Sequence, residues 1–178
     1  MIKRDIELQQ WVETNVWPID INCINPASID LKLDCQWRDV EEPDVLRTSS
    51  HITIYPRTIG VEIYNLFAKW FKKERKPTAI LASTVESIII EPYEAASIKL
   101  KTTPTREGLG HPIADWVDPG FSGHLTLMLY ANKKITLHHE DRIVQMVVFE
   151  LSGPVNKSYR DVGHYCGQRG PTPSWREQ

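Results

Sequence analysis

Apolar and polar residues alternate along much of the chain, and this alternation predicts strands. Residues 28–33 place Ile29, Leu31 and Leu33 on one face, and residues 124–130 alternate in the same way. Five further short β-rich runs are residues 79–85, 87–90, 96–100, 135–137 and 142–151. Many short strands separated by glycine and proline turns are typical of a sandwich or barrel, so an all-β fold is predicted.

Two segments have helical periodicity instead. Asp5 can cap a helix of two to three turns near the N-terminus. Residues 59–75 carry one apolar stripe, and Pro77 prevents continuation beyond it. The stripe consists of Ile63, Leu66, Phe67, Trp70 and Phe71. Such a stripe usually packs against a sheet or a neighbouring subunit, and a partner or ligand groove is the alternative.

The end of the chain has a different character. Residues 163–178 are rich in glycine and proline and nearly free of aliphatic side chains. They predict an extended polar arm that needs a surface to lie on. At 178 residues the chain is long enough for one domain. The expected organisation is a β-barrel domain over 1–162 and an arm of the same domain over 163–178.

Composition excludes several classes of protein. Apolar residues make up 41% and charged residues 25%, which argues against disorder, collagen and coiled coil. A net charge of -2 argues against a binder of duplex DNA. Three cysteines without a CxxC pair fit a reducing compartment. No leader and no apolar run near 20 residues are present, so a soluble, cytoplasmic protein without membrane contact is expected.

Three segments carry candidate chemistry. Residues 118–123 (DPGFSG) put Asp118 before a tight turn that leads into a strand. Residues 101–106 (KTTPTR) combine cations and hydroxyls in a way that suits phosphates. Residues 164–170 (HYCGQRG) suit a mobile lid over a ligand. A solvated turn, a polar loop and a frayed terminus are the respective alternatives.

A zinc site is not expected. Residues 138–140 contain a nominal H-x-E, but the P-C-x-x-C partner of the zinc deaminases is missing. No segment offers the four ligands typical of structural zinc.

Four ordered segments resemble the dCTP deaminase family, within the dUTPase superfamily. Residues 25–33 (NPASIDLKL) are similar to the family's PASVDLRL, and residues 81–86 (LASTVE) to LASTLE. Residues 116–127 (WVDPGFSGHLTL) are close to WIDPGFEGHITL, and residues 165–174 (YCGQRGPTPS) to YQGQRGPTPS. Residues 38–76 match poorly, so the helix over 59–75 rests on periodicity alone.

The resemblance implies a distorted β-barrel or jelly roll of the dUTPase type that forms a homotrimer. It further implies nucleotide sites between subunits, a deoxyribonucleoside triphosphate ligand with Mg²⁺ on its phosphates, and no zinc. By position in the family's motifs, Asp118 and Arg106 are the expected catalytic residues. The expected substrate-binding residues are Lys101, Thr102, Thr103, Ala114, His164, Tyr165 and Gln168.

Departures from the family pattern bear on the reaction. The deaminases have a proton-shuttling glutamate after GHITL, and Met128 stands at that position. A thioether cannot donate or accept a proton at neutral pH. His164 replaces an expected lysine, and residues 141–146 (DRIVQM) look like the dUTPase motif DRIAQM. The glycine-rich C-terminal motif of dUTPases is not present.

Three functions remain open from the sequence. The first is a pyrophosphohydrolase for dUTP or dCTP in which Asp118 orients the attacking water. The alternative is a dCTP deaminase in which Glu107 or Asp115 replaces the missing acid/base. The third is a nucleotide-binding or regulatory homologue without catalysis.

Overall fold

The computed structural model describes residues 1–112 and 115–177. Within these ranges the helices are α1 (Asp5–Asn15), α2 (Ile59–Trp70), α3 (Thr102–Arg106) and α4 (Tyr159–Val162), with 3₁₀ turns at Ile21–Cys23 and Trp175–Glu177. The strands are β1 (Val16–Trp17), β2 (Ile24–Asn25), β3 (Ser28–Asp39), β4 (Glu42–Thr48), β5 (His51–Ile54), β6 (Ala79–Ile89), β7 (Glu94–Leu100), β8 (Leu109–Gly110), β9 (Trp116–Val117), β10 (Ser122–Ala131), β11 (Ile135–His138) and β12 (Arg142–Glu150). The all-β prediction is confirmed.

One antiparallel sheet dominates the molecule, with strand order β8-β10-β6-β3-β12-β7-β9. Outside this order, β1 pairs with β6, and β3 also pairs with both β2 and β4. A separate two-stranded sheet consists of β5 and β11. The first half of β3 pairs with β12 and its second half pairs with β6. A strand that changes partner along its length carries a sheet around a bend, which gives the sheet its curled half-barrel form.

The period-two faces predicted from the sequence are the buried faces of the sheet. Leu125, Leu127 and Leu129 of β10 are at most 5% exposed and join the core, whereas Met128 and Tyr130 face outward. Ile29, Leu31 and Leu33 of β3 lie in the same core. The predicted strands 79–85 and 87–90 are one strand, β6. The alternation therefore identifies the first half of β3 and sets which β10 side chains face outward, whereas β4 and β5 are strands that the sequence does not predict.

The predicted helix over 59–75 ends at Trp70. Lys72 has a φ of 50°, in the left-handed region, and the Lys73 amide donates to the Ala68 carbonyl. That pattern is a Schellman motif, which terminates a helix. Asn65 then accepts from the Lys76 amide and donates to its carbonyl, which turns the following chain back along the helix.

The apolar stripe of α2 does not pack on the sheet. Its members Leu66 and Trp70 are 66% and 83% exposed, while Asn65 and Ala68 form the buried side. Packing on a neighbouring subunit stays a prediction. No helix in the described part of the chain is both long enough and apolar enough to span a membrane.

The arm lies along β10. The His124 amide donates to the Gln168 carbonyl at 3.1 Å, and the Gly167 amide donates to the Ser122 carbonyl at 2.6 Å. Further along, the Thr172 amide donates to Thr126 Oγ1 at 3.1 Å. These contacts bring the arm beside the outward face of β10. The boundary between barrel and arm at 162 and 163 stays a prediction.

Candidate active site

A cavity of about 580 Å³ opens where β10, the turn before it and the arm meet. The turn contributes Asp118 and Phe121, β10 contributes Met128, and the arm contributes Tyr165 and Gln168. The other lining residues are Leu81, Ile98, Trp116, Val117, Leu125, Thr126, Tyr159, Thr172 and Ser174. Apolar walls with a few polar groups are typical of a small-molecule site.

The turn before β10 presents Asp118 to this cavity. The Phe121 amide donates to the Asp118 carbonyl at 3.2 Å and closes the turn. Gly120 has a φ of 87°, and a Cβ there would lie 1.8 Å from Ser158 Oγ. Only glycine fits that position without a shift of the α4 N-terminus. The carboxylate of Asp118 is exposed, and Trp116 Nε1 donates to its Oδ1 at 3.1 Å.

The arm is fixed to β10 by its own side chains. Gln168 Nε2 donates to the His124 carbonyl at 2.6 Å, and Thr126 Oγ1 donates to Gln168 Oε1 at 3.4 Å. Gly123 allows this approach, because a Cβ there would lie 2.8 Å from the Gln168 carbonyl oxygen. The hydroxyl of Tyr165 accepts from the Trp175 amide at 3.2 Å.

His164 does not line the cavity. Its ring stacks on Trp175 with centroids 4.3 Å apart and planes 19° apart. Tyr165 and Gln168 therefore reach the cavity, whereas His164 holds the end of the arm. The binding roles predicted for these three residues stay predictions.

The predicted phosphate-binding residues lie elsewhere in this chain. Lys101 precedes α3 and is ion-paired with Asp30, which is 2% exposed. Thr102, Thr103 and Arg106 are exposed on α3 and do not line the Asp118 cavity. The structure therefore separates the predicted site into an Asp118 group and an α3 group. Ala114 lies outside the described residues.

The two proposed substitutes for the missing acid/base are also outside the cavity. Glu107 is exposed and ends α3. Asp115 is ion-paired with Lys99 and accepts from Ser97 Oγ at 3.3 Å. Among the described residues, Asp118 is the one carboxylate that lines the cavity.

Met128 lies between two cavities. Its side chain is 37% exposed, and it lines both the Asp118 cavity and a neighbouring cavity of about 400 Å³ beside the start of α2. A thioether at this place adds apolar surface and no proton-transfer group.

Three further residues of the site have no role predicted from the sequence, although two of them, Trp116 and Thr126, lie within residues 116–127. Trp116 binds Asp118, Thr126 connects β10 to the arm, and Tyr159 forms part of the wall. Burial, and to a smaller extent the charge of Asp118, raises the pKa of Tyr159, so its hydroxyl stays protonated. Thr126 could have been found, because the alternation in β10 puts it on the same face as Met128.

The comparisons with known proteins agree on the family. Residues 2–151 match the family model described as dCTP deaminase-like. A protein of Mycobacterium avium (strain 104) is 34% identical over 169 residues, covering 88% of this chain and 84% of its own length. One of Corynebacterium diphtheriae is 32% identical over 174 residues, covering 91% and 88%. Both are named dCTP deaminase, dUMP-forming.

Among solved structures, the 2'-deoxycytidine 5'-triphosphate deaminase of Agrobacterium tumefaciens aligns with a TM-score of 0.61 and 14% identity. The alignment covers 83% of this chain and 46% of that one, and it shows that the two chains share a fold. The names of the relatives support the deaminase alternative better than the pyrophosphohydrolase prediction. The chain belongs to the dCTP deaminase-like family.

Proposed function

We propose that the chain converts dCTP to dUMP. The observation that carries this proposal is the cavity that Asp118 shares with the arm, in a chain 34% identical to an enzyme named dCTP deaminase, dUMP-forming. The conversion consumes two waters. One water replaces the amine on the cytosine C4 and releases ammonia, and the other cleaves the bond between the α- and β-phosphates and releases pyrophosphate.

Asp118 is the group that activates water in this proposal. Its Oδ1 is held by Trp116, while Oδ2 accepts no hydrogen bond from the described residues and keeps its lone pairs for a water proton. Tyr159 keeps its proton and can donate a hydrogen bond to the ligand. Tyr165 and Gln168 approach from the arm and close the site on that side. Proton removal by a positioned carboxylate contributes about 10²–10⁴-fold to a rate.

The phosphates require charge compensation, and no lysine or arginine is among the described residues that line the Asp118 cavity. Mg²⁺ binds oxygen ligands and keeps several waters, so substrate phosphates and water would hold the ion while Asp118 stays free as the base. Bound Mg²⁺ would offset charge on the triphosphate. In a homotrimer, Lys101, Thr102, Thr103 and Arg106 of one subunit would complete the site of the next. Both the trimer and the metal are part of the proposal.

A second candidate is hydrolysis of the triphosphate without deamination. It is favoured by Met128, because the leaving amine must be protonated and Asp118 is the one carboxylate among the described lining residues. Cleavage of a phosphoanhydride requires one base and charge stabilisation, and Mg²⁺ on the phosphates would supply that stabilisation. The pyrophosphohydrolase prediction thus remains the alternative to complete conversion.

The two candidates predict different products. Purified protein is incubated with dCTP or with dUTP, each with Mg²⁺, and ammonia and pyrophosphate are measured separately. Ammonia and pyrophosphate from dCTP support complete conversion. Pyrophosphate without ammonia overturns it in favour of the second candidate. If neither ammonia nor pyrophosphate forms from either nucleotide, both candidate reactions are rejected. Equilibrium binding of the same nucleotides then tests the non-catalytic homologue.

A further inference from the structure

Three potential metal ligands meet at a place the proposed reaction does not use. A carboxylate oxygen of Asp34, the Sγ of Cys35 and a ring nitrogen of His139 all lie within 4.8 Å of one another. None of the three lines the Asp118 cavity. Thiolate, imidazole and carboxylate are the ligands that zinc and similar thiophilic cations take in proteins.

An irregularity in the sheet brings the first two ligands together. In a regular strand, consecutive side chains point to opposite faces, so Asp34 and Cys35 could not reach one ion. Between β3 and β6, Leu33 pairs with Thr84 and Trp37 pairs with Ala82. Residues 34–36 therefore lie opposite Ser83 alone, which is a pronounced bulge. Bulges re-aim side chains and occur often beside functional sites.

The surrounding hydrogen bonds orient the His139 ring and the Asp34 carboxylate. His139 Nδ1 lies 3.2 Å from the Leu33 carbonyl, which can only accept, so Nδ1 carries the proton and Nε2 keeps a lone pair. Asp34 Oδ1 accepts from the Cys35 amide at 2.7 Å, and Oδ2 accepts from Ser83 Oγ at 3.2 Å. Metal-binding histidines usually donate their other N–H to a carbonyl or carboxylate, and metal-binding carboxylates are themselves hydrogen-bonded.

The backbone also fixes the group across three segments. The Ser49 amide donates to the Cys35 carbonyl, and the His139 amide donates to the Ser50 carbonyl, each at 2.9 Å. The connection between β4 and β5 therefore contacts both β3 and the turn between β11 and β12. Asp34 and Cys35 are half-buried and His139 is exposed, so the group is reached from solvent.

We propose that Asp34, Cys35 and His139 bind one divalent cation of the zinc type and clamp the β3 bulge to the β11–β12 turn. Three protein ligands leave a fourth tetrahedral position for water. Binding to the Cys35 thiol releases its proton to solvent. The site departs from the expectation of no zinc, and it does not use the H-x-E pattern, since His138 and Glu140 are not among the ligands.

Cobalt(II) provides a spectroscopic test on the full chain, because a thiolate ligand produces a charge-transfer absorption band. The chain is treated with a chelator, freed of it and titrated with Co²⁺, and Zn²⁺ is then added. We expect the band to saturate at one equivalent and to disappear when Zn²⁺ displaces Co²⁺. We also expect Zn²⁺ to raise the melting temperature. Absence of the band or of stoichiometric binding overturns the proposal.

Matched variants locate the site. Cys35→Ser is expected to abolish the band, and Cys166→Ser, a cysteine of the arm, is expected to keep it. His139 is exposed, so His139→Gln should fold as the natural chain does and weaken cation affinity by about 10-fold or more. Circular dichroism checks the fold of each variant. A band that survives Cys35→Ser, or an affinity unchanged in His139→Gln, overturns the proposal even if the cation binds elsewhere.

Discussion

Position 128 decides how much acid–base chemistry the Asp118 cavity can perform. Met128 faces outward from β10 and lines the cavity, yet its thioether transfers no protons. Replacing it with glutamate adds a second carboxylate to the same cavity without disturbing the core, since the side chain is 37% exposed. The residue therefore offers a direct gain-of-function test.

We expect Met128→Glu to release ammonia from dCTP faster than the natural chain, by about 10²-fold or more, because a second carboxylate can take a proton from the attacking water and pass it to the leaving amine. Met128→Gln is the control, since it has similar size and polarity but no titratable proton. The measurement is the initial rate of ammonia release with each variant. Equal rates for Met128→Glu and Met128→Gln would contradict this account of position 128.

Asp20 makes a different, purely structural contribution. Lys32 Nζ lies 2.7 Å from its Oδ2, and the Asn22 amide donates to Oδ1. The ion pair with Lys32 is the main cause that lowers the pKa of Asp20 to about 2. Because the pKa of Asp20 is lower in the folded chain than in the unfolded chain, its charged form stabilises the folded state at any pH above the unfolded pKa. This stabilisation is lost as pH falls from about 4 towards 2.

We expect Asp20→Asn to lower the free energy of unfolding at pH 7 by about 2 kcal/mol or less, because the side chain is partly exposed to solvent. The deficit relative to the natural chain should shrink at pH 3. Urea denaturation at both pH values measures it, and Asp44→Asn on exposed β4 is the control. A deficit that is constant with pH would mean that packing, and not the ion pair, is lost.

At the level of elements, period-two alternation and β-rich runs find the first half of β3 and most of β6, β7, β10, β11 and β12, but they miss β4 (Glu42–Thr48) and β5 (His51–Ile54). The same alternation separates the inward from the outward residues of β10, and it places Met128 on the outward face. The end of α2 cannot be found in the same way. Lys72, Lys73 and Glu74 are good helix formers, and the helix ends before them through a left-handed backbone at Lys72 that their side chains do not signal.

The stripe on α2 shows a related limit of periodicity. A spacing of three and four residues predicts that Leu66 and Trp70 share a face, but it does not say what covers that face. In this chain the buried side belongs to Asn65, whose amide is bonded to Lys76, and to Ala68. The apolar face is the exposed one.

We expect Leu66→Gln combined with Trp70→Gln to change the free energy of unfolding by about 0.5 kcal/mol or less per substitution, because both side chains are largely exposed. Binding of a hydrophobic dye should fall. Ala68→Gln, on the buried side of the same helix, is the contrast and should destabilise clearly. A loss in the double variant as large as that of Ala68→Gln would indicate that a neighbouring subunit covers the stripe.

For the whole molecule, the resemblance implies sites between subunits, but the sequence does not show which predicted site residues lie together within one chain; the structure shows that they form two groups. The motifs that contain Arg106 and Asp118 are close in sequence, and the family resemblance assigns them to one kind of site. In the folded chain Asp118 lines the cavity beside β10 and the arm, whereas Arg106 lies on α3, outside that cavity. Lys101 is also engaged by Asp30, which the spacing of residues does not reveal.

In a closed ring of identical subunits, the Asp118 group of one subunit could meet the α3 group of the next. This arrangement leads to a quantitative prediction. Asp118→Asn and Arg106→Ala should each abolish most product formation, because each removes one side of every site. When the two inactive variants are mixed, unfolded and refolded together at equal amounts, about one quarter of the sites in a heterologous ring receive natural residues on both sides. Activity should therefore recover to about one quarter of the natural value, measured as release of pyrophosphate.

Each variant refolded alone is the control. If both residues served the same site within one chain, no mixture would contain a complete site, and the mixed sample would stay as inactive as its parents.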